Sequence, residues 1–165
     1  MTLHADLLAQ AVHLARLERR RPKQASLRRA VSTAYYALFH LISAEAANRL
    51  VRGHDREFHR NLVRRALSHN SMLEASKAFA SGTLPRSLVT PEIDVSQDVR
   101  EVAATFVYLQ QQRHDADYNL LSPFTGTRAE NAILRADDAS RAWQRARGGA
   151  DADLYLLALL LSPRR

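Results

Sequence analysis

The sequence predicts an all-α protein, an up-and-down bundle of four to five main helices with an extra amphipathic helix at the C-terminus. Three observations predict it. Only 5 Gly and 5 Pro interrupt 165 residues, and Ala, Leu and Arg, all strong helix formers, dominate the rest. Apolar residues recur every three or four positions along most of the chain, the period of one helix face. Strand alternation of useful length and internal repeats are both missing. The length suits one domain over residues 1–165, with its core over about 3–147 and the last helix over about 151–161.

The first helix is expected from Leu3 to Arg20, with Leu3, Leu7, Ala11, Leu14 and Ala15 on one stripe. Pro22 ends it, because proline lacks an amide hydrogen and restricts the residue before it. The basic run Arg19-Arg20-Arg21-Pro22-Lys23 suits the negative end of that helix's dipole, and a phosphate-binding patch is the alternative. A second helix is expected over Ala25–Val51, with Ser26 as its N-cap and Gly53 closing it. It carries two adjacent stripes, Leu27, Val31, Ala34, Leu38 and Leu41, then Tyr35, Phe39, Ile42 and Ala46. Two stripes mean a wide buried face.

His54 or Asp55 should open a third helix over Arg56–Ser68, turning Phe58, Leu62, Val63 and Ala66 inward. Asn70 breaks the pattern, a shorter helical piece follows over Met72–Ala80, and Gly82 ends it. The stretch Thr83–Asp94, with Pro85 and Pro91, has no period and reads as a surface loop. The next helix starts near Val95 or Ser96 with the seam Val95, Val99, Val102, Phe106 and Leu109. Another runs over Thr127–Arg147, offering Ala129, Ala132, Ile133, Ala136, Ala139 and Trp143 for packing, and Gly148-Gly149 stop it. The closing piece, Asp151–Leu161, carries Leu154, Leu157, Ala158 and Leu161 on one side and Leu156, Leu159 and Leu160 on the other. So much leucine implies docking to the bundle or to a second subunit.

Cysteine is absent, which excludes disulfides and thiolate metal sites. His54, His59 and His69 have no spacing that suits metal, and nothing in the pattern asks for a cofactor. No phosphate-binding glycine loop or nucleophile elbow occurs. The stretch Met1–Arg21 lacks the apolar region of a signal peptide, and the longest apolar run, Leu154–Leu161, is too short to span a bilayer, so a cytoplasmic protein without membrane contact is expected. The net charge is +7. That permits nucleic acid, an anionic ligand or an acidic protein as partner without choosing among them.

One segment departs from the pattern. Beyond Leu109 the seam of the 95–118 helix meets Arg113, then Ala116 or Asp117. Arg113 and Asp117 can pair at i, i+4, and charges on a buried stripe need a partner or a use. His114, Asp115 and Tyr118 flank them. A solvated ion pair is the plain alternative. A second polar set, Ser32, Tyr35, Tyr36, Phe39 and His40, lies on the 25–51 helix. It reads either as packing groups or as the other wall of a groove shared with Arg113.

The segment Arg28-Arg29-Ala30-Val31-Ser32-Thr33-Ala34-Tyr35-Tyr36-Ala37-Leu38-Phe39-His40 resembles the early helix of HEPN (higher eukaryotes and prokaryotes nucleotide-binding) domains. Arg113-His114-Asp115-Ala116-Asp117-Tyr118 is similar to the family's second signature, and His59 to a histidine found between them. The resemblance covers roughly Leu7–Arg147. It implies a helical bundle, a homodimer, and a place in toxin–antitoxin or phage-defence systems, either as a metal-independent ribonuclease or beside a nucleotidyltransferase partner. It also implies binding roles for Ser32, Tyr35, Tyr36, His40, Arg113, Asp117 and Tyr118. In the ribonuclease members an Arg and a His are separated by four to six residues, the Arg stabilising phosphate charge and the His moving a proton. Here the residue five along is Tyr118, and a phenol is a poor general base at neutral pH. The expectation is therefore a domain that dimerises and binds nucleotide, RNA or a nucleotidyltransferase, with catalysis by Arg113 and His114 left open. Its rivals are a ribonuclease toxin using Arg113 with His114 or His40, and a non-catalytic adaptor bundle.

Overall fold

The computed structural model describes residues 2–18, 20–85, 88 and 93–161, and every regular element among them is an α-helix. Seven occur in these residues: α1 (Leu3–Ala15), α2 (Gln24–Leu50), α3 (Glu57–Ala66), α4 (His69–Ala80), α5 (Gln97–Tyr118), α6 (Gly126–Ala146) and α7 (Ala150–Leu161). The all-α class is as the sequence predicts. Arg19 of the basic run and residues 86, 87 and 89–92 of the expected 83–94 loop lie outside the described residues.

The chain forms two compact units, whose borders fall inside α2, α5 and α6. The first comprises the residues up to His40 with Thr105–Arg141. Its core takes Leu27, Val31, Ala34 and Leu38 from α2, Phe106 and Leu109 from α5, and Ala129, Ala132, Ala136 and Ala139 from α6. Tyr35, fully buried, places its ring 5.5 Å from that of Phe106. Burying one such large side chain stabilises by about 2–3 kcal/mol. The second unit comprises Leu41–Ala104 and the chain from Ala142 onward. There α7 packs on α4. Phe79 meets Tyr155 at 5.1 Å between ring centroids, and the buried Tyr155 hydroxyl shares a 2.8 Å hydrogen bond with Ser76 Oγ. The predicted seam Val95, Val99, Val102, Phe106 and Leu109 is buried throughout.

Several expectations are corrected. The first helix stops at Ala15, short of Arg20. The chain then turns so that Glu18 accepts from Ser26 Oγ at 3.0 Å and from the Lys23 amide at 3.4 Å. Ser26 is thus inside α2, holding the turn to α1 instead of capping α2. Phe58 and Leu62 face solvent, 71 % and 48 % exposed, and α3 buries no residue. That helix is held by its polar side: Arg60 donates to the carbonyls of Val51 and Gly53, and Arg60 and Arg64 both pair with Glu57. Asn70 does not break a helix, since Ser68 and Ser71 form a reciprocal capping box that starts α4 at His69. On α7 the buried face is Ala152, Tyr155, Leu156, Ala158 and Leu159, with Leu157 and Leu161 exposed. Tyr155 sets that rotation, because its hydroxyl must reach Ser76.

Gly148, at φ +88, makes the left-handed turn before α7. The first turn of α7 then reaches back, and Asp151 Oδ2 accepts from the Ser96 amide at 2.9 Å, at the start of α5. Burial acts to raise the Asp151 pKa, but the hydrogen bonds from Ser96 and from the backbone of α7 prevail and hold it below the usual carboxylate value. Because the folded pKa is depressed, this contribution is fully present above the unfolded value near 4 and is lost as pH falls through the folded one. We expect Asp151→Asn to cost up to about 1 kcal/mol at neutral pH after solvent screening. Urea titrations should show the gap between wild type and variant closing as pH drops from about 5 to about 3. A gap that stays constant across that range would contradict the assignment.

Candidate functional site

The first unit builds its polar site from two helix registers. On α2, Ser32, Tyr35 and Tyr36 are one turn apart, and Tyr36 and His40 are one turn further. On α5, Arg113 and Asp117 are at i, i+4, and Arg113 Nε donates to Asp117 Oδ2 at 3.0 Å. The other carboxylate oxygen, Oδ1, accepts from Ser32 Oγ at 2.6 Å. Asp117 therefore joins the two helices, fixing the guanidinium through one oxygen and a buried hydroxyl through the other. Arg113 Cζ lies 5.7 Å from the ring centroids of both Tyr35 and Tyr36, within the range of cation–π attraction. The two rings meet edge to face at 5.4 Å.

Arg113 keeps 17 % of its side chain exposed and Asp117 keeps 28 %. Burial alone would lower the Arg113 pKa. Tyr36, Asp117, Tyr35 and Tyr118 outweigh it and hold the pKa above its ordinary value. The guanidinium is therefore charged at every physiological pH. Among the described residues its terminal amino groups donate to no protein acceptor, so they can serve an incoming oxyanion.

The α2 side of the site opens on a pocket of about 270 Å³, lined from α1 by Leu3, Leu7 and Gln10 and from α2 by Arg29, Ser32, Thr33, Tyr36 and His40. His40 sits against the rings of Tyr36 and Phe39, at 6.3 and 5.4 Å between centroids. His114 is exposed and meets Tyr118 at 5.2 Å. Tyr118 is 65 % exposed. Ser32, Tyr35, Tyr36, Arg113 and Asp117 are thus drawn together, with His40 reaching them through Tyr36. The His114 ring packs on Tyr118. Asp115 belongs elsewhere, accepting from Arg128 at 3.0 Å and from Gln111 at 2.9 Å.

What holds the site in place is a residue the sequence reading left without a role. Arg28 donates to the carbonyls of Asp115, Ala116, Asn119 and Ser122 at 3.3, 2.9, 3.0 and 2.6 Å. These carbonyls lie in the last turn of α5 and the loop after it, where the negative end of the helix dipole favours a cation. Phe124 lies under both Arg28 and Arg128, with Cζ to centroid distances of 5.0 and 3.9 Å, and Gln24 binds its backbone NH and carbonyl at 2.9 and 2.7 Å. Arg29 was also missed. It is exposed, lines the pocket, and has no carboxylate partner among the described residues. Its spacing from Thr33, Tyr36 and His40 was the available signal.

Among the described residues no group of three His, Asp or Glu side chains could hold a metal ion, and His54, His59 and His69 do not gather. No helix there is long and apolar enough to cross a membrane. Comparison with protein-family models, curated proteins and solved structures finds no match to this chain.

Proposed function

We propose that this chain is a HEPN-like domain that dimerises and binds a nucleotide or RNA phosphate through Arg113, without cleaving it, in a toxin–antitoxin or defence setting. One observation carries the reading: a permanently charged guanidinium is anchored by Asp117 through Nε and backed by two tyrosine rings, while its terminal amino groups remain available. This is how a phosphate-binding arginine is pre-organised, since its geometry is fixed before the ligand arrives. Tyr35 and Tyr36 supply the aromatic surface, and Arg29 and His40 edge the adjoining pocket. Cleavage is left out of this reading because His114 packs its ring on Tyr118; His40, against Tyr36 on the pocket rim, is the imidazole that a ribonuclease reading would use. Leu120 and Leu121, 83 % and 95 % exposed just past the site, favour a second copy as their cover.

The test is a thermal-shift series with mono-, di- and triphosphate nucleotides on the purified dimer. Wild type should melt higher with at least one of them, by the several degrees that saturating ligand gives a domain of this size. Arg113→Ala should remove that rise. Flat melting across the panel, or a monomer by sedimentation, sinks the reading in favour of an adaptor. RNA cleaved in EDTA would instead establish the ribonuclease.

A further inference from the structure

The second unit carries a separate cationic pocket of about 290 Å³, formed where the end of α2 meets the end of α6 and the start of α7. Arg49, Arg52 and Arg147 line it, with Glu45 and Asp153 as counter-charges. Arg49 pairs with Asp153 through two nitrogens, and Arg147 Nε lies 3.0 Å from Glu45. Arg52 has no carboxylate at contact distance among the described residues, though its charge is felt by Asp153, whose pKa is held low chiefly by the hydrogen bond from Arg49. Three guanidiniums against two carboxylates leave one positive charge over.

Trp143, which lines the pocket, also carries a buried donor with no partner among the described residues. Trp143 is 2 % exposed, and its Nε1–H has no acceptor among the described residues. Buried indole N–H groups are nearly always hydrogen-bonded. Leu156, Ala152 and the indole ring supply an apolar wall beside the cations.

We propose that this pocket binds the phosphate of a small phosphate monoester, with Arg52 as its principal cation and the Trp143 indole as part of its wall. A phosphate brings about −1.5 to −2 charge and three strong acceptors, enough to engage several guanidiniums at once. A single carboxylate satisfies one fork. The volume, at the small end for ligand pockets, suits a compact ester over a polymer. The site is independent of Arg113, which belongs to the other unit.

Trp143 is the only tryptophan in the chain, so its emission reports this pocket alone. The full-length protein is titrated with uridine monophosphate, inorganic phosphate, uridine and acetate, exciting at the red edge of the indole band. The two phosphates should change the emission saturably, and uridine and acetate should not. Arg52→Gln, on an exposed side chain, should weaken the response tenfold or more, and Arg113→Ala should leave it intact. Trp143→Phe, followed by calorimetry, should weaken binding severalfold. An emission unmoved by phosphate, an equal response to acetate, or undiminished affinity in Arg52→Gln would overturn the assignment. Failure at Arg113 with a preserved Trp143 response would sink the reading of the first site and leave this one standing.

Discussion

Replacing Arg28 with alanine should destabilise the protein by about 2–3 kcal/mol, the largest effect expected from any single polar side chain here. Four carbonyls at the end of α5 and the loop after it accept from this one guanidinium. Hydrogen bonds to a charged donor are each worth about 1.5–3 kcal/mol, but four that share two nitrogens and lie partly in water do not add. The Phe124 ring under the guanidinium loses its cation as well. Arg28→Lys should recover only a minority of the loss, because an ammonium cannot reproduce the planar fork. Urea unfolding monitored by circular dichroism reads both numbers. A loss below about 0.5 kcal/mol in Arg28→Ala, within the ordinary range for surface changes, would mean that water replaces the cap at no cost.

Asp117→Ala should cost about 2 kcal/mol and Asp117→Asn about half of that, for reasons that separate the two oxygens. Alanine leaves the Ser32 hydroxyl, 1 % exposed, without its acceptor. Asparagine can keep an oxygen toward Ser32, but it turns an amide donor toward Arg113 Nε, itself a donor. Both variants release the guanidinium from its anchor, so both should reduce the nucleotide-dependent rise in melting temperature. Equal stabilities for the two variants would show that the Ser32–Asp117 bond contributes little.

These predictions fall on residues of very different visibility in the sequence. The seam from Val95 to Leu109 and the Arg113–Asp117 pair were legible, because one helical period relates them. Asp117 as the partner of Ser32 was not, since the two are 85 residues apart and only packing brings their helices into register. Arg28 heads the HEPN-like segment without a spacing that marks its role, which depends on where α5 ends. The error at Phe58 and Leu62 has a plain cause: their spacing describes an amphipathic helix, but periodicity does not say whether anything is there to cover it. The start of α4 is readable in Ser68 and Ser71, whose cap overrides the weak helix preference of Asn70. The pocket around Trp143 joins residues near 50 with residues near 150, and no local pattern announces it.

The central claim is that Arg113 is the group that holds a phosphate. It is tested most directly by the fluorescence anisotropy of a short labelled single-stranded RNA titrated, in EDTA, with wild type and with Arg113→Ala. The account predicts saturable binding by wild type, with the RNA recovered intact, and a tenfold to hundredfold loss of affinity in the variant, about 1.4–2.8 kcal/mol. Equal affinity in the two proteins, at matched salt, would contradict it.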